Sequence, residues 1–109
     1  MTVNELAKRL SLRTIALSDG DRDVEGVYIG DLLSWVMGRA QSGNAWITIM
    51  SNLNIVAVAT LADVSCIILA EGVTLDAQVS DTAKAKDVNI LATDMTAYEL
   101  AVAMSGLGL

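Results

Sequence analysis

Two short stretches place polar side chains where a strand hands over to a helix: Ser51-Asn-Leu-Asn54 and Thr93-Asp-Met-Thr96. The start of a helix presents unpaired N–H groups and the positive end of the backbone dipole, which suits an anion such as a phosphate. Ser51, Asn52, Asn54, Thr93, Asp94 and Thr96 are the ligand-binding residues this placement implies. Each also has a local use. Asn52 or Asn54 can cap its helix, Thr96 with Glu99 reads as a capping box, and Thr93 with Asp94 can complete a turn. A site shared by the two stretches requires their strands to lie side by side. A third junction, Glu71-Gly-Val-Thr74, contains Gly72, which permits a sharp bend.

Other reactive groups are sparse. There is no histidine, which removes Ser-His and Cys-His nucleophilic arrangements and histidine metal sites. The single Cys66 forms neither an internal disulfide nor a multi-cysteine zinc site, and its apolar neighbours mark it as an inert buried thiol. Asp19, Asp21, Asp23 and Glu25 resemble the start of a calcium loop but lack its glycine and its terminal glutamate, so the run reads as a solvated turn with no metal. The chain contains no G-x-x-x-x-G-K-[ST], no G-x-G-x-x-G and no G-x-S-x-G. No catalytic constellation and no cofactor are implied.

Composition narrows the partners. The 109 residues are 53% hydrophobic with a net charge of −6 and a mean hydropathy of +0.51. An acidic chain lacks the basic face that nucleic acid or an anionic membrane surface requires. One cysteine and no signal-like start favour a reducing, cytoplasmic setting. The apolar stretch Leu53 to Ala70 approaches a membrane span in length, but Asp63 interrupts it and no basic residue flanks it. It reads as a buried helix followed by a buried strand.

The elements that position these residues alternate along the chain. Thr2 and Glu5 cap a first helix through Leu10, residues 12–17 form a strand, and residues 18–23 form a turn leading into a hairpin-like strand over 24–29. A helix follows with Leu32, Leu33, Trp35, Val36 and Met37 on its apolar side. Strands starting at 45, 65 and 88 lie 20 and 23 residues apart, the spacing of compact βα units. Helices span 54–64 and 76–86, and a last helix starts at Thr96 and ends at Gly106. Trp35, Trp46 and Tyr98 are expected on apolar faces as core or interface anchors. The expected fold is one α/β domain over residues 1–109, with a mixed, mostly parallel sheet of about five strands and helices packed on it.

Three stretches resemble the DRTGG-domain family: Val27-Tyr-Ile-Gly-Asp31 with Leu32, Leu33 and Trp35; Ala45-Trp-Ile-Thr-Ile-Met50 with Asn54-Ile-Val-Ala-Val-Ala59; and Asp94-Met-Thr96-Ala-Tyr98. The resemblance runs over about residues 10–105, and the middle block is its most specific part, although the Asp-Arg-Thr-Gly-Gly string itself is absent. It implies a fold similar to the N-terminal domain of HPr serine kinase without the kinase portion. It also implies a non-catalytic regulatory or interaction role, sensing a nucleotide or other phosphorylated metabolite, in a chain that forms a homodimer. Two further readings stand beside it. One is a structural subunit that dimerises or docks on an enzyme partner. The other is a small phosphotransferase or acyl-type transferase working from Asp31, Asp63 or Asp94, or an anti-sigma-antagonist-like protein phosphorylated at Ser51 or Ser65.

Overall fold

The computed structural model describes all 109 residues. Its elements are α1 (Val3–Arg9), β1 (Arg13–Ala16), β2 (Val27–Ile29), α2 (Leu33–Arg39), β3 (Ala45–Thr48), α3 (Asn54–Ala62), β4 (Cys66–Leu69), α4 (Ala77–Ala85), β5 (Ile90–Ala92) and α5 (Ala97–Gly106). They build one five-stranded sheet in the order β1-β5-β4-β3-β2. Strands β2 to β5 are parallel, and β1 runs antiparallel to β5. This is the mixed, mostly parallel α/β sheet that the alternating elements predict.

The apolar runs of the central strands follow from burial on both faces. Every residue of β3, β4 and β5 is buried. Side chains alternate between two cores as the pleat requires. Trp46, Ile67, Leu69, Ile90 and Ala92 face Val36 of α2, Ile55, Val56 and Ala59 of α3, and Val79 and Ala83 of α4. Ala45, Ile47, Cys66, Ile68 and Leu91 face Val3 and Leu6 of α1 and Leu100 and Met104 of α5. The chain steps in one direction from β2 through β5, so right-handed crossovers put α2, α3 and α4 on a single face. The stretch Leu53 to Ala70 divides into α3 and β4, with Asp63 as the left-handed C-cap between them (φ 57°). No helix is long and apolar enough to cross a membrane.

Two expectations need correction. Residues 24–29 are not the partner of the first strand. β1 and β2 lie at opposite edges of the sheet, and the segment between them crosses its amino end. That crossing is held by Val24 N–H to the Met1 carbonyl, by a bridge between Thr2 and Asp23, and by Glu25 N–H to the Gly43 carbonyl. The physical reason lies in the spacing: Val27 to Ala45 is itself a βα unit, so β2 joins the parallel set. Second, the apolar residues of α2 do not share one buried side. Val36 is buried, whereas Leu32, Trp35 and Met37 are about half exposed. Of the three aromatic residues expected as core or interface anchors, Trp46 takes the core position, where its Nε1–H donates to the Gly30 carbonyl at 2.8 Å, and Trp35 is about half exposed. Tyr98 is 78% exposed on the outer face of α5.

Candidate functional site

The carboxyl ends of the four parallel strands line up along one edge of the sheet, where ligands of open α/β sheets bind. Four turns meet there: Gly30-Asp31 after β2, Ile49 to Leu53 after β3, Ala70 to Gly72 after β4 and Thr93 to Thr96 after β5. Both stretches singled out from the sequence are on this edge. Their strands are not neighbours, however. β4 lies between β3 and β5, so the junctions are about two inter-strand spacings, or ~10 Å, apart.

The two junctions differ in what already fills them. At α5, Thr96 Oγ1 accepts from Glu99 N–H and the Glu99 carboxylate accepts from Thr96 N–H, the reciprocal cap its sequence predicts. These bonds from Thr96 hold the Glu99 carboxyl below its usual range. A second carboxylate, Glu71 Oε2, accepts from Ala97 N–H at 3.1 Å. Glu71 reaches that position from a left-handed backbone (φ 63°) followed by Gly72 (φ 72°), the sharp bend expected after β4. The anion position of α5 is therefore taken by the protein's own acid groups. Thr93 is buried and its Oγ1 accepts from Met95 N–H, while Asp94 pairs with Arg13 at 3.2 Å in the open.

The start of α3 is different. Its first turn holds no acidic residue, and its N-cap, Leu53, has no side chain able to accept. Asn52 Oδ1 accepts from Asn54 N–H at 2.9 Å, so of the two asparagines it is Asn52 that supplies the local cap. The consecutive backbone N–H groups of Ser51, Asn52 and Leu53 donate to no group of the chain, and all three residues are exposed. The side chains of Ser51 and Asn54 are likewise exposed and unengaged. Beside them, Asp31 Oδ1 accepts from Thr48 Oγ1 and Ile49 N–H, which fixes the path of the chain as it leaves β3.

From this junction an open groove of about 500 Å³ runs between α3 and α4. Leu53, Val56, Ala57 and Leu61 give it an apolar floor, Asn54 and Thr60 edge it, and Thr82 of α4 and Lys86, its C-cap, close the other side. Its volume is in the range of small-molecule sites. Helix α3 has no charged residue along its length, so Lys86 is the groove's single charged group, and it is cationic. Nothing in the one-dimensional pattern shows the groove, because it exists only where two helices meet.

A smaller concavity, about 220 Å³, sits at the opposite, amino end of the strands among Asp19, Arg22, Asp63, Lys86 and Asp87. Its one ion pair is Arg22 with Asp63. The Ser42 hydroxyl and Arg22, which lies 3.0 Å from Asp63 Oδ1, hold the Asp63 carboxyl below its usual range. Asn89, 3% exposed, closes the floor. It accepts from Ser18 and Asp19 N–H and donates to the carbonyls of Asp19 and Ser65. Ser65 is buried and donates to the Asn44 carbonyl, which leaves Ser51 as the accessible serine of the two considered for phosphorylation. Burial pushes the Cys66 thiol up to about 12.

The sequence profile of the DRTGG domain matches residues 1–107. No curated protein matches the chain. Among solved structures, the chain is similar to the CBS and DRTGG domains of the regulatory region of Clostridium perfringens pyrophosphatase, solved in complex with its activator, diadenosine tetraphosphate. The two are 14% identical with a TM-score of 0.73, and the match covers 92% of this chain and 44% of the other. At that identity the likeness is one of fold.

Proposed function

The chain belongs to the DRTGG-domain family, and on that premise we propose that it is a non-catalytic regulatory domain that binds a nucleotide or similar phosphorylated metabolite and transmits its presence to an enzyme partner. The phosphate end sits at the start of α3, on the free N–H groups of Ser51, Asn52 and Leu53 and beside the side chains of Ser51 and Asn54. The base or other apolar body enters the α3–α4 groove over Val56, Ala57 and Leu61, with Lys86 at its far end. Thr93, Asp94 and Thr96, two strands away, meet a ligand long enough to span both junctions. The observation that carries this reading is the contrast between the helix starts: α5 receives the carboxylates of Glu71 and Glu99, whereas α3 receives no acid and the N–H groups of Ser51, Asn52 and Leu53 just before it are unpaired. The neighbour's nucleotide activator supports the ligand class.

The test is amide chemical-shift mapping with diadenosine tetraphosphate, ATP and inorganic tripolyphosphate as separate probes. Shifts centred on residues 51–57 with either nucleotide support the reading, with tripolyphosphate moving only the junction. Shifts confined to Thr93–Ala97, or none with any probe, contradict it.

A further inference from the structure

The far end of the α3–α4 groove carries a definite pattern of donors and acceptors. Helices α3 and α4 both run from the carboxyl end of the sheet to its amino end, so Thr60, Leu61, Thr82 and Lys86 lie away from the free N–H groups of residues 51–53. The rise from Leu53 to Thr60 is about 10 Å, comparable to the reach from a nucleotide's phosphate to the outer edge of its base. Thr60 Oγ1–H donates to the Val56 carbonyl at 3.1 Å, and Thr82 Oγ1–H to the Gln78 carbonyl at 2.8 Å. Each hydroxyl commits its proton to its own helix and offers the groove an acceptor. Lys86 is then the side-chain donor at this end, and it enters no ion pair. Thr60 and Lys86 also line the amino-end concavity, so the groove opens there onto Asp19, Asp63 and Asp87. Asp63 and Asp87 both occupy the left-handed position that ends a helix, φ 57° in each, where glycine or asparagine is the ordinary residue. Both also set a carboxylate at the negative end of a helix dipole. Asp63 is compensated by Ser42 and Arg22. Asp87 is exposed, and its carboxylate makes no hydrogen bond or ion pair within the chain, so nothing in the fold requires an acid there.

We propose, resting on the nucleotide reading of this groove, that Lys86 and Asp87 read the base and select guanine over adenine. Guanine turns two acceptors, O6 and N7, outward on one edge and two donors, N1–H and the 2-amino group, on the next. The ammonium of Lys86 suits the first edge and the free carboxylate of Asp87 the second. Adenine reverses both. It sets an amino group where guanine has O6, against Lys86, and a bare ring nitrogen where guanine has N1–H, against Asp87, so each charge is left unpaired. A second phosphate is disfavoured at this end, because Asp19, Asp63 and Asp87 outnumber Arg22 and Lys86 there. The apolar strip of Val56, Ala57 and Leu61 between the two ends takes the face of the ring.

Calorimetric titration of the full chain with GTP, ATP and xanthosine triphosphate tests it. The wild-type chain is expected to bind GTP about tenfold more tightly than ATP. Lys86→Met should bring the two within about threefold of each other, by weakening GTP alone. Asp87→Asn keeps an acceptor for N1–H but turns an amide N–H toward position 2, where xanthine carries a carbonyl in place of the amino group. It should prefer xanthosine triphosphate to GTP by about tenfold, the reverse of the wild-type order. Both side chains are exposed, so both variants should fold, and Asp87→Asn should unfold at or above the wild-type temperature because asparagine suits the left-handed position. Equal affinity for GTP and ATP in the wild type overturns the base assignment and leaves the nucleotide site standing. A guanine preference that survives both Lys86→Met and Asp87→Asn overturns the roles of these two residues. Binding of no nucleotide at all overturns both the base selection and the site beneath it.

Discussion

Asn89→Ala removes one side chain that holds three segments together. In the folded chain Asn89 Oδ1 accepts from Ser18 and Asp19 N–H at 2.9 and 3.0 Å, and Nδ2 donates to the Asp19 and Ser65 carbonyls at 2.7 and 3.1 Å. Ser18 and Asp19 are exposed, so water replaces most of what they lose, at about 0.5 kcal/mol for each of three bonds. Ser65 is buried, and its orphaned carbonyl costs about 1–3 kcal/mol. The expected loss is about 3 kcal/mol. With an unfolding entropy of about 2.1 cal/mol/K per residue, 109 residues lose about 4 °C per kcal/mol, so Tm falls by about 13 °C. Calorimetry and urea unfolding measure it on the same samples. Asn89→Asp keeps the acceptor and loses the donor, turning a carboxylate toward carbonyls. It should be destabilised as well, and less so near pH 4, where the acid is protonated. An Asn89→Ala variant within 4 °C of wild type would refute the reasoning, because the crossing segment would then owe its position to other contacts.

Further outcomes follow from local chemistry. Cys66, with its thiol pushed up to about 12 and buried, should be unreactive to a disulfide reagent at pH 8 and titrate fully only in denaturant. Glu5, Glu99 and Asp63 lie below the ordinary 4.5 of glutamate and 3.8 of aspartate, so each favours the folded state when ionised. Their contribution is complete above those values and is lost as pH falls through and below them. Tm should therefore decline between pH 5 and pH 3 along a slope that Asp63→Asn makes shallower. Thr96→Ala should cost about 1 kcal/mol by removing the α5 cap, read by urea unfolding. Gly38→Ala, at a helical position with open space around it, should raise stability by about 0.5–1 kcal/mol in the same assay.

What was legible in the sequence was local or rested on a repeated spacing. Both capping boxes, Thr2 with Glu5 and Thr96 with Glu99, form as written because each needs only four consecutive residues. The strands at 45, 65 and 88 are parallel because about twenty residues is what one crossover takes. The same rule applied from Val27 gives β2 its place. The turn residues at 18–23 mask it, since the chemistry of a hairpin turn also serves a segment that crosses the sheet end. On α2 the run of apolar residues suggests one face, yet Val36 and Trp35 project about 100° apart on a helix. Asn89 stood in an apolar run with nothing beside it in sequence to mark its four bonds. For the site, the polar junction Ser51–Asn54 was legible from strand-to-helix order. Two things were not: Glu71 reaching Ala97 from another strand end, and a groove made by α3 and α4 together.

The central claim is that an anionic ligand binds on the unpaired N–H groups of residues 51–53 before α3, with its apolar body in the groove. Thermal denaturation of the wild-type chain and of Asn54→Asp with diadenosine tetraphosphate tests it most directly. At about 100 times the dissociation constant the ligand should add about 2.7 kcal/mol, raising the wild-type Tm by about 12 °C. Asn54→Asp, which places a carboxylate at that helix start, should keep its fold and lose most of the rise. Equal rises in both proteins, or no rise in the wild type with any nucleotide, would contradict the account.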